Sequence, residues 1–227
     1  MIESMDECCT EKAAALELLR ERQTTTLRIV LAINAAMFIV EFASGLVAGS
    51  TALLADSLDM LGDALVYGFS LYVVARGARW KARAAVAKAI IMAIFGVFVL
   101  GEIVYKLIYF HVPTVETMTA VGALALAANS FCFALLWRHR AEDINMRSVW
   151  LCSRNDLIAN LSVLLAAGAV WLTASPWPDI AVGALICALF LRSAWVVTRE
   201  AREEFGHNHA QQVVPADGPR AARSARR

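Results

Sequence analysis

Residues 51–75 read TALLADSLDMLGDALVYGFSLYVVA, a run apolar and long enough to cross a bilayer that nonetheless holds Asp56, Asp59 and Asp63. Their i, i+3, i+7 spacing puts all three on one stripe of a helix. An aspartate at a bilayer centre costs roughly 2.5–3.5 kcal/mol on insertion scales, so such a stripe belongs against a water-filled cavity, a partner or a cation. Asp59 and Asp63 stand one turn apart and can offer oxygens to a single divalent ion. Asp56, a turn nearer the outside, suits an entrance or supporting group. Pairing with an intramembrane base is the competing reading, but mid-span bases are few, chiefly Lys106 and Arg154, and both lie toward span ends.

The rest of the chain has the same character. Its 227 residues are 59% hydrophobic, with a mean hydropathy of +0.57, too apolar for an ordinary soluble domain. Runs of about 20 residues, the length needed to cross roughly 30 Å of hydrocarbon, fall at 25–48, 52–75, 85–110, 115–137, 147–174 and 178–199. The fold class expected is all-α, a polytopic bundle of six transmembrane helices. The net charge of +1 is informative only when resolved by loop. Arg20, Arg22 and Arg28 precede the first span, Arg76 to Lys88 join the second and third, Arg138, Arg140 and Arg147 join the fourth and fifth, and Arg199 and Arg202 follow the sixth. The links 49–51, 111–114 and 175–179 carry neither Lys nor Arg. By the positive-inside bias both termini are cytoplasmic, in a multi-pass protein of the inner or plasma membrane. Nothing in the composition points to a nucleic-acid partner.

Three segments follow. Residues 1–24 form a cytoplasmic N-terminal segment without the apolar core of a signal peptide; Glu11 to Gln23 either extend the first helix or lie on the membrane surface. Residues 25–200 form the transmembrane domain. Residues 201–227 are expected to be a disordered cytoplasmic tail, solvated or touching anionic lipid through Arg220, Arg223, Arg226 and Arg227. The cysteines, five in number, suggest no disulfide framework. Cys8 and Cys9, like His207 and His209, form short terminal clusters whose sequence context assigns them no role.

A second constellation lies in the fifth span, Cys152-Ser-Arg-Asn155-Asp156-Leu-Ile-Ala-Asn160, where Cys152, Asp156 and Asn160 repeat every four residues on one face. A thiolate with carboxylates suits tetrahedral zinc or cadmium, sulfur favouring the softer metal. Cys152 alone would read as a packing residue; Asp156 one turn on makes it a candidate ligand. Asn155, some 100° around the helix, ranks just below it. Glu41 in the first span either bonds a polar neighbour or shuttles protons. Glu102 and Lys106, i and i+4, read as a local ion pair, and Gly45-x-x-x-Gly49 as a close helix-packing motif.

These residues resemble the cation diffusion facilitators, six-helix proton-coupled exporters of divalent metals. The resemblance runs through Asn34, Phe38, Glu41 and Gly45, then Gly49-Ser-Thr-Ala-Leu-Leu-Ala-Asp56-Ser-Leu-Asp59-Met-Leu-Gly-Asp63, with Asn129 and Asp143-Ile-Asn145-Met-Arg147 leading to Asp156. It implies a metal site of Asp59, Asp63, Cys152 and Asp156, with Asn155 and Asp56 as lesser candidates and Glu41, Asn34 and Asn160 as a proton and polar network. It implies no resident cofactor, transport of Zn²⁺ or Cd²⁺ with Fe²⁺, Mn²⁺, Co²⁺ and Ni²⁺ as further candidates, and a homodimer in contact with lipid. Asp59 stands where many zinc exporters carry His, and Cys152 where the family usually has His or Asp, so zinc selectivity is not carried over. The cytoplasmic domain that usually follows the sixth helix is expected to be missing. The competing functions are a membrane-embedded metalloenzyme, disfavoured by the lack of an in-span His or an HExxH motif, and a passive divalent-cation channel or metal sensor.

Overall fold

The computed structural model describes the backbone of residues 3–72, 78–138 and 146–213, with most side chains between residues 24 and 199. All described elements are helical: α1 (Glu3–Ala48), α2 (Thr51–Tyr72), α3 (Ala78–Tyr109), α4 (Val115–Arg138), α5 (Met146–Thr173) and α6 (Trp177–Val213). The protein is thus a helical membrane bundle, as the spacing of apolar runs requires. Among the described residues four stretches are long and apolar enough to span a membrane by length and composition: Thr24–Ala48, Val86–Tyr109, Val115–Trp137 and Asp156–Thr173. The α2 run is diluted by its three aspartates, of which Asp56 is fully buried and Asp59 and Asp63 partly so.

Two boundaries differ from the sequence reading or complete it. Glu11 to Gln23 continue α1 without a break, choosing the extension over a separate surface helix. At the other end α6 continues to Val213, so residues 201–213 are helical where a disordered tail is expected. The reason is local: Glu, Ala and Arg in REAREEF are good helix formers, and adding residues to an existing helix avoids the cost of nucleation. Residues 214–227, with Arg220, Arg223, Arg226 and Arg227, lie outside the described residues.

The helices pack chiefly in the pairs α1 with α2, α3 with α6 and α4 with α5, while α2 also lies against α6 and α1 against α4. The main core joins Leu53, Leu54 and Leu58 of α2 to Val99 and Ile103 of α3, Val163 of α5 and Ile186 of α6. A second cluster at the other end of α2 joins Tyr67 to Leu27, Val30 and Leu136. Phe38 and Phe42 of α1 meet Phe95 of α3 edge-on, with centroids 5.5 and 5.7 Å apart. Outward faces stay apolar, Ile90, Ile94, Val97 and Ile108 on α3 among them, as lipid contact demands.

The three links without Lys or Arg meet at one end. Thr114 N donates to Ala48 O at 3.0 Å, Phe110 packs on Trp177 with centroids 5.8 Å apart, and Asp179 bonds Thr51. The α1–α2 turn needs Gly49, whose φ of +63° a side chain would strain; beside it, Ser50 N donates to Gly45 O at 2.9 Å. α1 and α2 leave that turn side by side, so Glu41 and Asp56 reach similar depths, about 10 and 8 Å inward at 1.5 Å per residue.

Candidate metal site

The stripe on α2 is graded by burial. Asp56 is 0% exposed, and neither of its carboxylate oxygens has a hydrogen-bond partner among the described residues. Asp59 and Asp63, about 12 and 18 Å inward from Thr51, are only partly buried. Burial therefore falls along α2 from Asp56 to Asp63, and Asp59 and Asp63 keep access that Asp56 has lost.

α5 brings the second group. Asp156 is partly buried, and Asn160 one turn on is fully buried, its Nδ2 donating to the Asp156 carbonyl at 2.8 Å. Asn160 Oδ1 has no partner among the described residues. Asp56 lies within electrostatic reach of Asp156 on α5 and Glu41 on α1. Glu41 of α1, Asp56 of α2 and Asp156 of α5 thus form a chain of charge contacts across three helices. Cys152 and Asn155 lie on the α5 backbone, but their side chains fall outside the described residues. Among the described residues no three His, Cys, Asp or Glu side chains form a group close enough to hold a metal.

On these helices and α4 further polar groups are buried with spare valence. Glu41 is 0% exposed and both its oxygens lack partners among the described residues. Asn34, two turns away along α1, donates through Nδ2 to Val30 O at 2.9 Å and to Cys132 Sγ at 3.7 Å, while its Oδ1 is unmatched among the described residues. Asn129 on α4 has an Nδ2 unmatched among the same residues. Buried polar atoms in native proteins are nearly all bonded, so this concentration marks a place built for something other than packing.

The polar group not legible from spacing lies at the α1–α2 turn. Lys106 does not pair with Glu102; its Nζ stands 2.7 Å from Asp179 Oδ2. A residue at i+4 competes poorly with a buried carboxylate that is already aimed inward by another helix. The signal was present: a lysine within an apolar helix, beside a link that carries no other Lys or Arg, requires an acid.

The family model described as the cation efflux transmembrane domain matches residues 27–205. The chain belongs to the cation efflux family. Members of that family are transporters, not enzymes. Among relatives, the chain is 26% identical over 207 residues to the zinc transporter ZitB of Yersinia pestis, an alignment covering 86% of this chain and 66% of that protein. It is 24% identical to the metal cation efflux system protein CzcD of Cupriavidus metallidurans, covering 78% and 60%. With the cadmium, cobalt and zinc/H(+)-K(+) antiporter of Bacillus velezensis it shares 23% identity, covering 72% and 56%. The chain spans about two thirds or less of the length of these relatives.

Proposed function

We propose that this protein carries divalent metal cations out of the cytoplasm in exchange for protons, Zn²⁺ and Cd²⁺ foremost. The observation that supports the reading is that Asp56 on α2 lies within charge reach of Asp156 on α5 inside a helical membrane bundle, in a chain whose family is one of cation efflux. The names of the relatives, zinc transporter and cadmium, cobalt and zinc antiporter, support the choice of metals. In this reading the ion is held by Asp59, Asp63 and Asp156 with Cys152 as fourth ligand. Asn155 is the alternative fourth ligand, and Asp56 supports the site from its buried position.

The physics of exchange is linkage. Metal ligands must be deprotonated to bind, so a dication and protons compete for the same oxygens, and release of one favours uptake of the other. Glu41, Asn34 and Asn160 form the polar network beside the site, and Glu41 is the group through which a proton reaches or leaves it. Both termini are cytoplasmic by the charge of the loops, and the bundle works as a homodimer embedded in lipid.

The test is uptake into proteoliposomes by the full chain, with a panel of Zn²⁺, Cd²⁺, Mn²⁺, Fe²⁺, Co²⁺ and Ni²⁺ and an internal pH probe. The expected result is saturable Zn²⁺ and Cd²⁺ flux with opposite proton movement, lost in Asp63→Asn and Asp156→Asn. Full activity in both variants would remove the site. Channel-like flux that persists without a proton gradient would replace the exchanger with a passive pore.

A further inference from the structure

The first turn of α2 is held by a polar hub drawn from three helices. Asp179, in the first turn of α6, is 0% exposed. Its carboxylate accepts from Ser50 Oγ at 2.6 Å, Thr51 Oγ1 at 2.7 Å, and the amides of Thr51 and Ala52 at 2.8 and 3.1 Å. Lys106 of α3, 3% exposed, donates to the same carboxylate at 2.7 Å and to Gly49 O in the α1–α2 turn. Thr51 Oγ1 also lies 3.2 Å from the Asp179 carbonyl, and Ser50 Oγ accepts from Leu53 N at 3.1 Å.

Each part of this hub answers a physical need. The first amides of a helix have no partner within it, and in a membrane an unmet amide is costly. Asp179 supplies the acceptor, and its negative charge sits at the positive end of the α2 dipole. Lys106 supplies the compensating charge that makes a buried carboxylate tolerable. α6 can come this close because residue 183 is glycine: a Cβ there would stand 2.7 Å from the Thr51 carbonyl carbon and oxygen. Apolar packing alone permits a helix to slip or turn; directional bonds to a fixed carboxylate do not. A slip of one residue would turn every α2 side chain by about 100°.

We propose that Asp179 and Lys106 are positioning residues for transport: by gripping the first turn of α2 they set the height and rotation of the helix on which Asp59 and Asp63 stand. The inference rests on the transport reading above and extends it to residues outside the ion's own shell. Neither residue touches the ion; they act through α2.

The experiment compares wild type, Asp179→Asn, Lys106→Met and Lys106→Arg, each as the full chain in proteoliposomes, by initial Zn²⁺ uptake against Zn²⁺ concentration. Amide hydrogen exchange over residues 51–58 provides a readout independent of transport. Misplaced ligands raise the apparent KM by about tenfold or more in Asp179→Asn and Lys106→Met, with Lys106→Arg returning toward wild type. Exchange over the first turns of α2 quickens in the two disruptive variants. A merely structural role would lower the maximal rate in proportion to the folded fraction and leave KM alone, and that result overturns the proposal. So does a KM that stays at the wild-type value when exchange quickens. Should Asp179→Asn not yield monodisperse protein, Thr51→Val removes one donor and Ser50→Ala another, and the same KM criterion decides. A wild type that moves no dication overturns the transport reading and this proposal together, whereas a transporting wild type with unaltered variants overturns this proposal alone.

Discussion

Two buried carboxylate sites lie within two turns of each other along α2, and the bundle treats them in opposite ways. At the first turn of α2 Asp179 is surrounded by two hydroxyls, two amides and an ammonium. Further inward Asp56 and Glu41 are equally inaccessible, yet none of their oxygens has a hydrogen-bond partner among the described residues. Burial is the same; supply of donors is not. A fully bonded carboxylate with its own cation is a fixed structural element. Acidic groups kept dry and without donors favour a state in which a cation or proton is near them. The difference separates a first turn of α2 saturated with bonds from a stretch one to two turns on whose buried carboxylate has none among the described residues.

The sharpest way to break the contrast is at the proposed ion ligands. Asp63→Asn and Asp156→Asn should each lower Zn²⁺ uptake by about a thousandfold, equivalent to about 4 kcal/mol at the transition state, with thermal unfolding in detergent almost unmoved. A parallel loss of folded protein would mean that these residues hold the bundle together instead. At the anchored level Gly183→Ala forces a methyl group against the Thr51 carbonyl. It should destabilise the protein by about 1–3 kcal/mol in thermal unfolding, as overpacking does; an unchanged midpoint would show that α6 retreats without penalty.

Glu41→Met tests the contrast by sign. Removing a buried carboxyl that has no donor among the described residues should raise stability by about 1–3 kcal/mol while slowing proton-coupled uptake. Destabilisation would place Glu41 with the anchors. The smallest effect is expected at Cys152. Cys152→Ser should shift the ratio of Cd²⁺ to Zn²⁺ uptake toward zinc by about tenfold, because the softer metal loses its sulfur ligand; an unchanged ratio would leave the fourth position to Asn155.

Much of the acidic constellation was legible from residue order. Asp56, Asp59 and Asp63 share a stripe whatever the bundle does, because helical periodicity relates them, and the same holds for Asp156 and Asn160. Glu41 stood out because a charge within an apolar run needs an explanation. The anchor was far less legible. Asp179 follows Pro-Trp-Pro at a helix start and reads as an ordinary first-turn acid, while Lys106 has a plausible partner in Glu102 one turn away. The pairing that forms joins residues 73 positions apart, and local spacing does not report such a contact. The helical character of residues 201–213 was missed for a different reason: composition suggested disorder, but a helix already running through α6 extends cheaply into good helix formers.

Periodicity and hydropathy alone were enough to establish a bundle of membrane helices with acidic groups aligned on α2 and α5, since these properties depend only on 3.6 residues per turn and the cost of charge in hydrocarbon. Which carboxylate would be saturated with donors and which left without any was decided by the tertiary fold. Donor supply depends on how close α6 and α3 come to the first turn of α2, and that distance is set by packing among residues far apart in the chain.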